Sequence, residues 1–120
     1  MTNAGENLAS VLSTWAIMIR TGSTEGLAAI LDENVEWQGI RPEELCRNRA
    51  EVVHVLTHNS PRLQAMTRIE GQEFGDRVVV GFEGPEIPEP RFLVVAFDDG
   101  LIVRMTSTTD RDAAFRLAGA

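Results

Sequence analysis

RFLVVAFDDGLIVRMTST, running from Arg91 to Thr108, is the stretch on which the fold turns. Two apolar runs flank Asp98-Asp99-Gly100, the composition of a tight hairpin turn. In extended chain alternate residues share a face, which puts Leu93, Val95, Val103 and Met105 on one side and Phe92, Val94, Ala96 and Ile102 on the other. Both sides are apolar, and a sheet that is apolar on two faces has to cover both.

Upstream, Leu63 to Phe74 and Arg77 to Glu83 show the same period of two, with Gly75-Asp76 as the turn between them. Gly84 to Pro90 is an acidic connection, stiffened by Pro85, Pro88 and Pro90. Before these strands the period is helical. Leu8, Val11, Leu12, Trp15 and Ile19 form a stripe from Glu6 to Arg20, closed by Thr21-Gly22. Ser23 or Thr24 can cap a second helix carrying Leu27, Ile30 and Leu31 and ending near Asp32. Val35 to Gln38 reads as a short strand and Arg41 to Arg47 as loop. Asn48 with Glu51 resembles a capping box for a third helix through Val52, Val53, Val55 and Leu56, which Asn59-Ser60-Pro61 closes. Asp110 can cap a last helical turn over Ala113 to Leu117. Helices followed by antiparallel strands predict an α+β domain over residues 1–120: three N-terminal helices packed on a curved, mostly antiparallel sheet. Those helices can cover one face, so the other predicts a second copy related by two-fold symmetry, meeting through Phe92, Val94, Ala96, Ile102 and Arg104.

The 120 residues carry 11 basic and 18 acidic side chains, a formal net charge of −7; every basic residue is Arg, and there is no Tyr. That sign repels phosphate backbones and argues against nucleic acid as a partner. The lone Cys46 excludes an internal disulfide and fits a reducing, cytoplasmic setting. No basic residue precedes Arg20, so no charged leader is expected, and the longest apolar run, Phe92 to Phe97, is too short to span a membrane.

Several strings, in this order and spacing, resemble the nuclear transport factor 2-like superfamily, and within it the bacterial SnoaL-like, polyketide cyclase-like branch. They are Trp15 with Thr21-Gly22, Leu31-Asp32-Glu33-Asn34-Val35-Glu36-Trp37, Arg41-Pro42-Glu43 with Cys46-Arg47-Asn48-Arg49, Gly75-Asp76-Arg77-Val78-Val79-Val80, and Asp99-Gly100-Leu101-Ile102-Val103-Arg104. The resemblance implies a cone in which sheet and helices enclose a deep apolar pocket, usually in a homodimer. It implies no single chemistry, so function is argued from the site.

Relatives similar to ketosteroid isomerase use a Tyr on the first helix and an Asp on the first strand. Trp15 and Trp37 stand there in this chain, and indole offers one N–H donor and no basic atom. Relatives similar to limonene epoxide hydrolase use an Arg and an Asp two residues apart, with a second Asp near the end of the last strand. Arg77 matches the Arg; Val79 takes the place of one carboxylate, and so does Ser107 of the other if Asp110 aligns with the acid that follows that strand. Polyketide cyclases of the branch pair an inward acid with a His, and His54 and His58 lie four apart on the third helix, without a third ligand at metal-binding spacing. No metal or cofactor is therefore expected.

The expected ligand is a small, mostly apolar molecule, carried by Trp15, Met18, Trp37, Leu56, Val79, Leu93, Val95, Val103 and Met105. Arg77 and Arg91 would add cations suited to an anionic group. If the pocket is catalytic, proton-transfer chemistry such as isomerisation, cyclisation or dehydration is expected, with Arg77 and Arg91 stabilising an anion and His54 or Ser107 handling the proton. The alternative is a non-catalytic ligand-binding or dimerisation module, favoured by the missing inward carboxylate.

Overall fold

The spacing of Val11, Trp15 and Met18 is that of one helix face, and all three are buried on α1 (Ala4–Thr21) in the computed structural model, which describes residues 4–85 and 89–119. Gly22 closes that helix with φ 79, in the left-handed region, and its N–H donates to the Met18 carbonyl at 2.8 Å. The second helix, α2 (Glu25–Ile30), is one residue shorter than its apolar stripe. Leu31, expected at its end, has extended backbone and opens β1 (Leu31–Gln38) instead, because its buried side chain is held by pairing against Ile102. Leu45–Cys46, expected as loop, forms β2, paired antiparallel with Trp37 and Gln38.

Asn48 caps α3 (Arg49–His58) as its sequence foretells, the side-chain oxygen accepting from Glu51 N–H at 2.9 Å. Asn59-Ser60-Pro61 does not lead into a strand at Leu63. It starts a second short helix, α4 (Ser60–Gln64), with Pro61 in the first turn, where its missing N–H costs no helical hydrogen bond. Then follow β3 (Arg68–Phe74), β4 (Arg77–Glu83), β5 (Arg91–Asp98), β6 (Leu101–Thr108) and α5 (Arg111–Leu117). Three residues of the acidic connection, Glu86, Ile87 and Pro88, lie outside the described residues. The described chain thus has five helices, two of them beyond the three expected at its N-terminal side.

The sheet runs β2-β1-β6-β5-β4-β3, antiparallel throughout except for the parallel β1–β6 pair. Its inner face carries Val78, Val80, Phe82, Leu93, Val95 and Met105 into one core with Val11, Met18, Leu27 and Leu56 of the helices. The register of the β5–β6 hairpin shifts after Ala96↔Arg104, so that the next pair is Phe97↔Ile102. Val103 is the residue left over, and the bulge breaks the alternation there. Ile102 therefore faces the core rather than the outside, and half-buried Val103 belongs to neither apolar cluster.

On the outer face, α5 packs against β5 and β6 and reaches Val79 of β4. Val79 and Val94 form a second cluster with Ala114 and Ala118, with Phe74 and Phe115 packed edge to face at 5.4 Å. Asp110 caps α5 through Asp112 N–H at 3.0 Å, and Arg77 Nη1 donates to the Leu117 carbonyl at 2.8 Å, tying the helix's C-terminal end to the sheet. Part of the apolar outer face is thus covered by the chain itself, the alternative to a partner that a sheet apolar on both faces leaves open.

Candidate functional site

A cavity of about 700 Å³ opens between the inner sheet face and helices α1, α3 and α4. Its apolar wall includes Trp15, Leu56, Leu63, Met66, Phe82 and Leu93. The Trp15 and Phe82 rings pack at 5.0 Å with their planes inclined by 53°. The mouth is shaped by the segment from Gly39 to Cys46, which Gln38 holds by donating from its side-chain amide to the Arg41 carbonyl at 2.9 Å. Gly39 allows that close return: its N–H reaches the Glu44 carbonyl at 2.6 Å, and a Cβ there would lie 2.6 Å from Glu44 Cβ.

Polar groups on the lining are few and differently engaged. Trp37 Nε1 donates to Ser107 Oγ at 2.9 Å, joining β1 to β6, and Ser107 keeps its own hydroxyl hydrogen for another acceptor. The indole of Trp15, 2% exposed, has a buried Nε1 with no hydrogen-bond partner among the described residues. At the mouth Arg41 lies 3.5 Å from Glu44 and 4.0 Å from Glu43, so these opposite charges answer one another. Arg62 and Arg91 also line the cavity, are exposed, and have no ion pair among the described residues. Burial, and after it the negative charge of Glu51, raises the Cys46 thiol above its ordinary pKa. At neutral pH Cys46 is a protonated wall residue rather than a thiolate nucleophile.

Of the side chains expected in the pocket, the structure brings together Trp15, Trp37, Leu56, Arg91, Leu93 and Ser107. Met18, Val95 and Met105 are fully buried in the core behind that wall and do not line it. Arg77 and Val79 belong to the outer face, one tied to α5 and the other packed beneath it, which corrects their placement in the cavity. The reason lies in β4: Val78, Val79 and Val80 are all buried, so a strand covered on both sides gives alternation nothing to choose between. Val103 is displaced by the bulge, and His54 is exposed on α3 and absent from the lining, which Val55 and Leu56 provide on that helix. Among the described residues no three His, Cys, Asp or Glu side chains gather as a metal site.

Arg62 was missed because the sequence around it was read as a turn running into a strand, although it follows Pro61 in what is a helical first turn. Phe82 carried a usable signal, since it continues the alternation of Val78 and Val80.

The order of elements and the cone they enclose can be set beside known structures. Bal32a, from a soil-derived mobile gene cassette, superposes with a TM-score of 0.71 at 15% identity, over 96% of this chain and 97% of that one. An NTF2-like protein of unknown function from Burkholderia pseudomallei K96243 gives 0.63 at 20% identity, over 95% and 98%. The chain has the nuclear transport factor 2-like fold. TerC, whose structure was determined from crystals grown with polyporic acid, gives a TM-score of 0.63 at 24% identity, over 95% of this chain and 98% of TerC. No family model and no curated protein matches the sequence. At these identities the nuclear transport factor 2-like likeness is one of fold, and the activity has to come from the cavity's own side chains. No described helix is long and apolar enough to cross a membrane.

Proposed function

We propose that this nuclear transport factor 2-like chain binds a small, mostly apolar molecule in the cone, and that binding rather than proton transfer is its role. The observation that carries the reading is a cavity walled largely by apolar side chains, Trp15 among them, whose N–H is buried with no partner among the described residues. A buried donor left unpaired costs about 1–3 kcal/mol, which an acceptor on a bound molecule recovers. The volume of about 700 Å³ falls within the range of small-molecule pockets. The crystals of TerC with polyporic acid support the fold's fitness for a small organic ligand. Against catalysis, among the described residues the only carboxylates on the lining are Glu43 and Glu44, both at the mouth beside Arg41. One observation favours a second reading. Ser107 accepts from Trp37 and can donate onward, so a bound carbonyl could be polarised for isomerisation, cyclisation or dehydration if the ligand brings its own acidic proton and basic atom.

Titration with acetylnaphthalene, followed by tryptophan emission, tests binding. Saturable quenching is expected, because Trp15 and Trp37 both line the cavity. A response that stays linear in probe, with no plateau, contradicts the reading.

The reading includes a homodimer through the outer face, on a narrower strip than the sequence pattern implied. With Ile102 turned inward and α5 over Val79 and Val94, what remains is half-buried Phe92 and Ala96 beside Arg104 and its ion-pair partner Glu36 at 3.5 Å. Light scattering should give twice the chain mass at micromolar concentration; the mass of one chain at that concentration contradicts the dimer.

A further inference from the structure

The cavity sorts its unspent hydrogen-bonding groups by charge and by depth. The neutral donors on the lining are the buried Trp15 N–H, unpartnered among the described residues, and the half-buried Ser107 hydroxyl. At the mouth are two guanidinium groups, Arg62 from α4 and Arg91 from β5, without an ion pair among the described residues. The third arginine there, Arg41, is already matched with Glu43 and Glu44. Among the described residues this leaves the mouth with two positive charges lacking an ion pair, on a chain whose net charge is −7. A long-range field of that sign repels an acid, so cations at the entrance serve an anion that arrives at this spot and not at the surface in general.

We infer that the ligand is a two-ended acid: an apolar body with a neutral oxygen acceptor, of the carbonyl kind, at its buried end and a carboxylate at its outer end. The chemistry of the donors makes this assignment. A carboxylate pushed against Trp15 would lose its hydration for one neutral N–H, which is too little compensation, whereas a carbonyl asks for no more than such a donor. The planar fork of a guanidinium matches a carboxylate, and at the mouth the anion stays partly solvated. The ligand therefore enters apolar end first. This inference rests on the cavity being a ligand site and adds which chemical groups it selects and in which direction they lie.

Four probes of common shape separate the two ends: acetylnaphthoic acid with its substituents at opposite ends of the rings, naphthoic acid, acetylnaphthalene and naphthalene. Their dissociation constants are measured by equilibrium dialysis against the full chain, at low and at high salt. Acetylnaphthoic acid should bind most tightly. The carboxylate's advantage over the matched neutral compound should be about fivefold or more at low salt and shrink at high salt. The double substitution Arg62→Gln with Arg91→Gln, on exposed side chains that leave the core untouched, should remove that advantage, read as the ratio of acid to matched neutral compound within the same variant. Trp15→Phe keeps an aromatic wall without the N–H and should erase the preference of acetyl compounds over their parents. An acid advantage that is absent, or that survives the double substitution, overturns the inference, and acetylnaphthalene binding in the same experiment shows the cavity reading still standing. Retention of the acetyl preference in Trp15→Phe overturns the buried end alone. If none of the four binds, the inference and the cavity reading fall together.

Discussion

Ile102→Asp will leave the chain unfolded at room temperature, while Val103→Asp will fold. The two neighbours differ because the β5–β6 register shifts between Ala96 and Phe97. Ile102 pairs with Phe97 on one side and Leu31 on the other and is 0% exposed. A carboxylate there is either buried unpaired or drags the strand open, a cost comparable to the roughly 5–15 kcal/mol that holds a domain of this kind together. Val103 is half-buried and belongs to neither apolar cluster, so an Asp reaches water at a cost of about 1–2 kcal/mol, chiefly lost β-propensity and partial burial. Circular dichroism melts of the two variants give the comparison. Strict alternation assigns Val103 to the enclosed face with Leu93 and Met105, and a folded Ile102→Asp beside an unfolded Val103→Asp would restore that assignment and remove the bulge.

Met18→Ala should cost about 2–5 kcal/mol of stability and leave the affinity of the folded protein for acetylnaphthalene unchanged. Met18 is fully buried among Val11, Trp15 and Leu27 and forms no part of the cavity lining. Its truncation therefore opens a void inside the core rather than in the ligand's path. Leu93→Ala, on the cavity wall, is the matching control, since a contact removed there should weaken the probe. Denaturant unfolding supplies the stability difference, and the quenching titration supplies the affinity. A dissociation constant that rises severalfold in Met18→Ala at full folding would put Met18 back on the ligand.

The α+β architecture was legible in the sequence because its signals are local: the helical stripe of Val11, Trp15 and Met18, the Asn48 cap, and the turn after Asp98. Three features were not, each for a reason of its own. Leu31 has the apolar character that either a helix end or a buried strand start would need, and only its pairing with Ile102 across some seventy residues decides between them. The bulge at Val103 leaves no mark in a run that is apolar at every candidate position. Coverage of the outer face by α5 depends on a short C-terminal helix whose apolar residues, Ala114 and Ala118, are small enough to lie close to Val79 and Val94. The site followed the same division. Trp15, Leu93 and Arg91 were placed by periodicity, and Trp37 and Ser107 by resemblance at positions beyond the bulge, where the pairing Leu93↔Ser107 holds. Arg77 and Val79 were placed by resemblance on β4, where three successive buried valines hide which face is which. Arg62 needed the helix begun at Ser60, and the Gly39–Cys46 rim needed the contact between Gly39 and Glu44, neither of which a period can show.

The measurement that bears most directly on the cavity as a ligand site is a proton–nitrogen correlation spectrum of the indole N–H groups during addition of acetylnaphthalene. The chain has two tryptophans, assigned by the Trp15→Phe variant, and they start in opposite states: Trp37 already donates to Ser107 at 2.9 Å, and Trp15 donates to nothing among the described residues. Binding should move the Trp15 resonance downfield by the larger amount, saturably and with the same midpoint as the quenching, as its proton gains an acceptor. A Trp15 resonance that stays in place while the probe saturates, or a shift confined to Trp37, contradicts the account.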